Sequence, residues 1–257
     1  MCLIVFSYKQ HGDYPLIFAA NRDEYYERPT REATFWDEHP NILAGKDLEA
    51  GGTWMGINTK GELSALTNYR DPGIQKTNPP SRGRLVLDFL KSEADASRYL
   101  REVDQQAQQY MGFNLLAGDL NRLAYYSNRH GKIQLLDSGL YGLSNHLLDT
   151  PWPKVQWAKE GLKNIIQKQS VSEEALFSLL ASDRKASEEE LPDTGIPKDI
   201  EKQVSPIFIK GEKYGTRCST ILLVDSEGEA TFVERCFEPG TAEVRNQNRY
   251  TFTVDRG

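Results

Sequence analysis

Five pairs of short apolar segments, each pair separated by a tight polar turn, constrain the fold of this 257-residue chain more than any other feature. Such runs, when they flank turns rich in Gly, Asn, Asp or Ser, predict antiparallel β-hairpins. The predicted pairs are 2–8 with 15–20, 54–58 with 62–67, 112–118 with 122–127, 132–136 with 140–144, and 217–225 with 230–237, followed by a last strand at 249–254.

Helical periodicity is concentrated in two regions, each of which predicts a pair of helices. The first region is 82–104, where Ser92 is expected to begin the second helix, with Asp95 three residues later completing a capping box. The second region comprises 153–167 and 172–182. Because the strands come in hairpins with paired helices between them, the sequence predicts an α+β layered fold rather than alternating βαβ units.

A polar segment at 183–204 follows the second pair of helices. It contains Pro192, Pro197 and a run of three glutamates, so we expect a loop or mobile linker there. No internal repeat interrupts the pattern, and residues 1–257 are predicted to form a single domain.

Charge and cysteine content narrow the expected partners and location. The net charge of −6 argues against a broad surface for nucleic acid or an anionic membrane. No apolar run is long enough to cross a bilayer, and residues 3–6 are expected to form a strand rather than a signal peptide. Three cysteines, an odd number, suit a reducing compartment, so we expect a cytoplasmic protein.

The motifs of the commonest catalytic and cofactor sites are missing from the sequence. It contains no Gly-x-Ser-x-Gly elbow, phosphate-binding loop, dinucleotide fingerprint or His-Glu-x-x-His pair. The four histidines are scattered without the spacing of metal ligands. We therefore expect neither a metal nor a cofactor.

Cys2 is the candidate nucleophile. A residue this small at position two favours removal of Met1, which would leave a thiol and a free α-amine on one residue. That amine has a pKa of about 7.7 and can accept the thiol proton without a catalytic histidine. The alternative is an ordinary buried cysteine in an N-terminal strand.

Asn21, Arg22 and Asp23 are expected to lie beside Cys2. If residue 10 faces residue 13 in the first hairpin, facing residue numbers sum to 23, and Cys2 lies opposite Asn21. Alternation then directs Asn21 and Asp23 to the face of the thiol and Arg22 to the other face. The alternative is a solvated strand end in which the acid and the base simply pair.

A second hairpin is expected to bring Gly52 and Asn68 together. Its turn at Lys60 gives facing residue numbers that sum to about 120, which places Asn68 beside Gly52. A neutral amide donor next to bare backbone suits the binding of an oxyanion. The alternative is a glycine-rich hairpin end without a chemical role.

Six separated segments form a recognisable set. They are Met1-Cys2, Asn21-Arg22-Asp23-Glu24, Gly51-Gly52-Thr53-Trp54, Asn68-Tyr69-Arg70, Leu143-Ser144-Asn145 and Gly215-Thr216-Arg217. The set resembles the NRDE family, also called the transport and Golgi organisation protein 2 family, from residue 1 to about residue 237. More distantly, that family is similar to cysteine N-terminal-nucleophile hydrolases such as choloylglycine hydrolase and penicillin acylases. The resemblance implies a four-layer αββα sandwich of two antiparallel sheets.

The resemblance also implies roles at the start of the chain. Cys2 matches the nucleophile, Asp23 the aspartate that holds the terminal amine, and Asn21 the asparagine two residues before it. One position differs, because those hydrolases carry an arginine immediately before the asparagine and this chain has Ala20.

Further roles are implied later in the chain. Asn68 matches an asparagine of the oxyanion hole, and Asn145 resembles one that touches the nucleophile's amine and the tetrahedral centre. Arg217 resembles a late arginine near the thiol. The residues expected to bind substrate are Arg22, Trp54, Tyr69 and Arg70.

Three functions are compatible with this set of residues. The first is an amidohydrolase or acyltransferase that attacks an acyl amide or thioester through Cys2. The second is a non-catalytic carrier of haem, acyl-CoA or another lipid-like ligand, favoured by Ala20 and by aromatic residues near the predicted site. The third is a trafficking scaffold without pocket chemistry.

Overall fold

Thirteen strands and five α-helices are found in residues 2–255, the part of the chain that the computed structural model describes. The strands are β1 (Cys2–Tyr8), β2 (Leu16–Tyr25), β3 (Thr30–Trp36), β4 (His39–Asp47), β5 (Met55–Asn58), β6 (Leu63–Asn68), β7 (Phe113–Gly118), β8 (Leu123–Ser127), β9 (Lys132–Leu135), β10 (Gly139–Leu143), β11 (Tyr214–Val224), β12 (Glu229–Phe237) and β13 (Val244–Thr253). The helices are α1 (Gly83–Lys91), α2 (Ala96–Gln106), α3 (Pro153–Gln167), α4 (Glu173–Leu180) and α5 (Lys198–Gln203), with a 3-10 turn at Ala107–Gln109.

The strands form two antiparallel sheets that pack face to face. Sheet A has the order β10-β1-β2-β11-β12-β13, and sheet B has the order β3-β4-β5-β6-β7-β8-β9. Helices α1 and α2 cover the outer face of sheet B, and α3 and α4 cover the outer face of sheet A. The predicted α+β fold, a four-layer αββα sandwich of two antiparallel sheets, is confirmed.

Strand β1 shows why its sequence is apolar without interruption. Ile4 and Phe6 point into the core between the two sheets, whereas Leu3 and Val5 pack against the helices on the outer face. Because successive side chains of a strand point to opposite faces, a strand covered on both sides needs apolar residues at every position.

The predicted hairpin of 132–136 with 140–144 is wrong. Strand β9 pairs with β8 at the edge of sheet B, and β10 pairs with β1 at the edge of sheet A. The short link between them therefore crosses from one sheet to the other. Most side chains of β9 are exposed, so its sequence carried little apolar signal to identify its partner.

Other differences lie in polar segments. Sequence analysis missed β3 and β4 and ended the second strand at residue 20, whereas β2 continues to Tyr25. The segment 183–204 is not a continuous loop, because it contains α5, whose Glu201 side chain is buried. None of the helices within residues 2–255 is both long and apolar enough to span a membrane.

Helix α2 starts at a different cap from the predicted one. Ser92 follows α1, and its hydroxyl donates to the Phe89 carbonyl at 2.9 Å. Asp95 is the N-cap of α2, and its Oδ1 accepts from the backbone N–H groups of Ser97 and Arg98 at 2.9 and 3.1 Å. These are two of the N–H groups that lack a partner within the helix.

Asp95→Ala is expected to lower the free energy of unfolding by about 1 kcal/mol, because it removes the acceptor of both N–H groups. Ser92→Ala is the matched control and should cost less than half as much. Urea unfolding followed by far-ultraviolet circular dichroism measures both variants, and equal losses would contradict this assignment of the cap.

Candidate functional site

The first hairpin places Cys2 directly opposite Arg22. The observed pairs include Cys2 with Arg22 and Leu3 with Asn21, so facing residue numbers sum to 24 and the predicted sum of 23 is wrong. Directly paired residues of adjacent strands lie on the same face. Cys2 and Arg22 therefore share the inner face of sheet A, whereas Asn21 points to the outer face. The turn is centred half a residue later than predicted, and this slip exchanges the two faces.

Cys2 borders a cavity of about 330 Å³ at the end of the two sheets. Five of the site residues predicted from the sequence line this cavity, namely Cys2, Arg22, Asp23, Trp54 and Asn68. The hairpin of β5 and β6 has the predicted register, since Met55 pairs with Ala65. This register carries Asn68 to the cavity, as expected from the turn at Lys60.

Arg22 is held within the wall of this cavity. Its side chain is 5% exposed, and its guanidinium carbon lies 4.2 Å from the centre of the Trp54 ring, a cation–π arrangement. One nitrogen lies 3.9 Å from the Asp47 carboxylate, which is bound more closely, at 2.7 Å, by Arg28. The cation nearest to Cys2 is thus fixed by stacking and by a shared carboxylate.

Opposing influences act on the Cys2 thiol. Burial is the largest and raises the pKa of Cys2, and the Asp23 carboxylate raises it further. The backbone N–H of Asp23 and the guanidinium of Arg22 lower this pKa by a smaller amount. Since burial prevails, the sulfur is a protonated thiol at neutral pH and needs a base in order to react.

Asn21 connects sheet A to the helical layer on its outer face. Its amide nitrogen donates to the carbonyls of Leu180 and Ile207 at 2.9 and 2.8 Å, and its side-chain oxygen accepts from the Ser219 hydroxyl at 2.6 Å. All of these contacts lie on the face opposite to the Cys2 side chain. These contacts therefore indicate a structural role for Asn21.

Asp23 is buried at the end of β2 and is bound from strand β11. Its Oδ1 accepts from the Thr216 hydroxyl at 2.6 Å, and its carbonyl accepts from the Tyr214 hydroxyl at 3.0 Å. Burial raises the pKa of Asp23, and the positive charge of Lys154 acts against this shift. Asp23 thus lies between the Cys2 cavity and a buried cation on the helical side.

Lys154 is a site residue that the sequence analysis missed. Its side chain is 2% exposed, and its ammonium donates to the Val204 carbonyl at 3.1 Å. Burial lowers the pKa of Lys154 to about 8, while Asp23 acts in the opposite direction. The available signal was its position in α3, four residues before the buried Ala158, on the face that turns inward.

Arg82 is a second missed residue, and it lines the same cavity. The sequence analysis placed it at the start of the helical region 82–104 without a role in the site, whereas it precedes α1 in a Pro-Pro-Ser-Arg-Gly segment. Its Nη1 donates to the Gly112 carbonyl at 3.0 Å. Arg22 and Arg82 thus both supply positive charge to the cavity.

Asn145 joins the ends of the two sheets behind the cavity. Its amide nitrogen donates to the Asn68 carbonyl at 2.8 Å, and its own carbonyl accepts from the Arg70 N–H at 2.8 Å. The neighbouring Ser144 hydroxyl donates to the Cys2 carbonyl at 3.0 Å. Asn145 is therefore one residue from a direct contact with Cys2, and its amide is already bound.

Besides Asn21 and Asn145, three further predicted residues do not line the cavity of Cys2. Tyr69 packs on His146 with ring centres 4.8 Å apart, and Arg70 packs over Trp152 and forms an ion pair with Glu201. Arg217 occupies a bulge in β11. Its guanidinium donates to the carbonyls of residues 25, 26 and 28 at 2.8, 3.1 and 2.6 Å. The predicted position of Arg217 beside the thiol differs from this one, and Arg22 is the cation found there.

Within residues 2–255, no group of three or more His, Cys, Asp or Glu side chains is arranged to hold a metal ion.

Comparison with known proteins identifies relatives over the whole chain. The sequence model of the family described as Transport and Golgi organisation 2 matches residues 1–239. The Transport and Golgi organization 2 homolog of Mus musculus is 39% identical over an alignment of 276 residues with its gaps, and the alignment covers 99% of this chain and 99% of that protein. The Transport and Golgi organization protein 2 homolog of Bos taurus is 40% identical over 256 residues, which cover 91% of this chain and 92% of that protein.

Among solved structures, the fold is similar to that of a conjugated bile acid hydrolase from Clostridium perfringens, determined as its C2A mutant. The TM-score is 0.54 at 10% sequence identity, and the match covers 100% of this chain and 98% of that one. This likeness concerns the fold.

Asn21→Ala is expected to lower the free energy of unfolding by about 1 to 3 kcal/mol, because two buried carbonyls lose their donor. Ser219→Ala, which removes one partner of Asn21, should cost less. Alkylation of Cys2 by iodoacetamide, followed by mass spectrometry, should proceed at an unchanged rate. A changed alkylation rate with unaltered stability would instead place Asn21 at the thiol.

Lys154→Met should abolish a pH dependence of stability. Because the folded-state pKa of about 8 lies below the ordinary lysine pKa of 10.5, the unfolded chain binds more protons between these values. Wild-type stability should therefore rise relative to the variant as pH increases from about 8 to 10.5, by roughly 3 kcal/mol. Urea titrations from pH 7 to 10 test this, with Lys159→Met, on the same helix, as the control. Parallel curves for wild type and Lys154→Met would contradict the assignment.

Proposed function

The chain belongs to the Transport and Golgi organisation 2 family, and we propose that it is an N-terminal-nucleophile amidohydrolase or acyltransferase acting through Cys2. The observation that supports this best is the position of Cys2. It starts the strand that borders the 330 Å³ cavity, with the Arg22 guanidinium directly across from it. The fold is similar to that of a hydrolase, which supports the proposed scaffold. The chemistry at Cys2 is a separate question that the experiment below tests.

In the proposed reaction, removal of Met1 frees the α-amine of Cys2. The amine takes the thiol proton, and the sulfur attacks the carbonyl carbon of an acyl amide or thioester. The bond to the leaving nitrogen or sulfur then breaks, and the leaving group takes the proton from the amine. Water completes hydrolysis of the Cys2 thioester, or an acceptor amine or thiol takes the acyl group.

The environment of Cys2 explains why such a base is required. Burial raises the thiol pKa, so the thiol is not ionised without help at neutral pH. An amine with a pKa of about 7.7 matches this task. In this proposal Asp23 orients the amine, and the charge of Lys154 behind Asp23 favours the ionised form of that carboxylate.

Stabilisation of the oxyanion is assigned first to Asn68. Its side chain lines the cavity, whereas the amide of Asn145 is already bound to the Asn68 carbonyl. Asn145 therefore acts in this proposal by fixing the end of β6, with a direct role only if that bond opens. A neutral hydrogen-bond donor placed where negative charge develops in the transition state lowers the reaction barrier more than a donor that contacts only the bound substrate.

The substrate is proposed to be a small acyl compound that Trp54 and the arginines of the cavity can hold. Arg22 and Arg82 both line the cavity, and Trp54, on which Arg22 is stacked, supplies an apolar surface. Acyl amides are the first substrates to test, because a conjugated bile acid hydrolase has the same fold. All three cysteines are free thiols, which accords with a cytoplasmic location.

The second candidate function is a carrier of haem, acyl-CoA or another lipid-like ligand. It is favoured by the raised pKa of Cys2, since a thiol that stays protonated is a poor nucleophile. A mature chain that retains Met1 and co-purifies with a ligand would support the carrier.

Cys2→Ala is expected to lower turnover of a responsive N-acyl amide or thioester by on the order of 10³-fold or more. Cys236→Ala, which also removes a sulfur from sheet A but lies outside the Cys2 cavity, should retain activity. Intact-mass spectrometry should show a wild-type chain lighter by one methionine residue. Retention of Met1, or turnover that survives Cys2→Ala, would refute the proposed mechanism.

A further inference from the structure

The cysteines of this chain lie on one line across sheet A. Cys2 pairs with Arg22, Arg22 pairs with Cys218, and Cys218 pairs with Cys236, on the consecutive strands β1, β2, β11 and β12. Because directly paired residues share a face, all three sulfur atoms are directed to the inner face of the sheet. Cys2 and Cys236 are more than 200 residues apart in the sequence, and only the register of the strands aligns them.

The pair Cys218–Cys236 has the spacing of a cross-strand disulfide. Directly opposite residues of antiparallel strands have Cα atoms about 4.5 to 5.5 Å apart, and disulfides join Cα atoms about 4.4 to 6.8 Å apart. Cys2 lies two strands from Cys218, a distance of about 10 Å, with Arg22 between them. Only Cys218 and Cys236 can therefore be bridged without movement of the backbone.

The two thiols are buried yet open to a second cavity. Their exposed fractions are 4% and 6%, and both line a cavity of about 70 Å³. The charged residues that line this cavity are Arg22, Arg31, Arg217, Arg245, Glu32 and Glu234. Its lining thus contains more positive than negative side chains, which favours the approach of a small reagent that carries carboxylates.

A proton acceptor lies within this cluster. Glu234 is 1% exposed, and its Oε1 accepts from the Ala33 N–H at 2.6 Å and from the Cys236 thiol at 3.7 Å. Burial raises the pKa of Glu234, which makes its carboxylate a better acceptor of a thiol proton. Hydrogen bonds thus connect the carboxylate to the dithiol before any reaction.

We propose that Cys218 and Cys236 are a redox-active dithiol that closes into a reversible cross-strand disulfide by exchange with an anionic low-molecular-weight disulfide. The Cys236 thiol transfers its proton to Glu234, and the thiolate attacks one sulfur of the reagent. One reagent thiolate leaves and takes the proton, and a mixed disulfide remains. The Cys218 thiol then attacks the Cys236 sulfur, and the second reagent thiol leaves with its proton. The dithiol is oxidised by two electrons and the reagent is reduced by two.

This modification site is independent of the reaction proposed for Cys2. The test uses the reduced full chain in buffers of reduced and oxidised glutathione at stepwise ratios, without denaturant. Free thiols are blocked with iodoacetamide, and intact mass and peptide mapping locate each bond. The expected product has Cys218 joined to Cys236, with the loss of two hydrogen atoms, and carries one carbamidomethyl or glutathione group, at Cys2. Dithiothreitol added before the iodoacetamide should reopen the bond, so that all three cysteines are then carbamidomethylated.

Variants distinguish the bridge from non-specific oxidation. Cys2→Ser should form the same bridge at the same glutathione ratio, and Cys236→Ser should form none. The proposal is overturned if wild type acquires only glutathione adducts, if the bond found joins Cys2, or if the Cys218–Cys236 bond forms only after denaturant is added. These readings come from the wild-type chain and do not depend on the folding of a variant.

Discussion

The cross-strand pairing of Cys2 with Arg22 is the constraint on which the rest of the site depends. It fixes which side chains of β1 and β2 face the other sheet and which face the helices. On the inner face, Arg22 is stacked on Trp54 and lies between the sulfur atoms of Cys2 and Cys218. On the outer face, Asn21 binds carbonyls of the helical layer. One register thus assigns opposite environments to adjacent residues of a short polar motif.

The outer face of sheet A shows how the fold keeps charged groups near Cys2 without exposing them to water. Asp23, Lys154 and Glu201 are each at most 2% exposed, and isolated charges at such positions would be very costly. The cost is offset by hydrogen bonds from Thr216 to Asp23 and from Lys154 to Val204, and by the ion pair of Glu201 with Arg70. These contacts also tie α3 and α5 to the end of sheet A. The polar segment that contains α5 therefore contributes to the environment of the site.

The two faces meet at Asp23, which borders the cavity and is also influenced by Lys154. In the proposed site, the base would lie on the terminal residue, with the Asp23 carboxylate beside it and the buried Lys154 cation behind that carboxylate. Burial acts on all three ionisable groups in the same physical way, by opposing the charged form: it raises the pKa of Cys2 and of Asp23 and lowers that of Lys154. At this site burial therefore shifts each of the three groups toward its uncharged form.

The sequence alone determined the hairpins of β1–β2, β5–β6, β7–β8 and β11–β12, the two pairs of helices and a layered α+β arrangement, because each follows from local periodicity and turn residues. The four-layer sandwich was implied by the resemblance of six separated segments to a known family. The sequence also brought Asn68 to the site, since the turn at Lys60 fixes the register of a short hairpin. Only the tertiary structure decided that Arg22 rather than Asn21 faces Cys2, that Arg217 binds backbone carbonyls, and that Lys154 is buried behind Asp23. A half-residue shift in a longer turn reverses the faces of a strand, and contacts such as Lys154 with Val204 join segments that no local pattern relates.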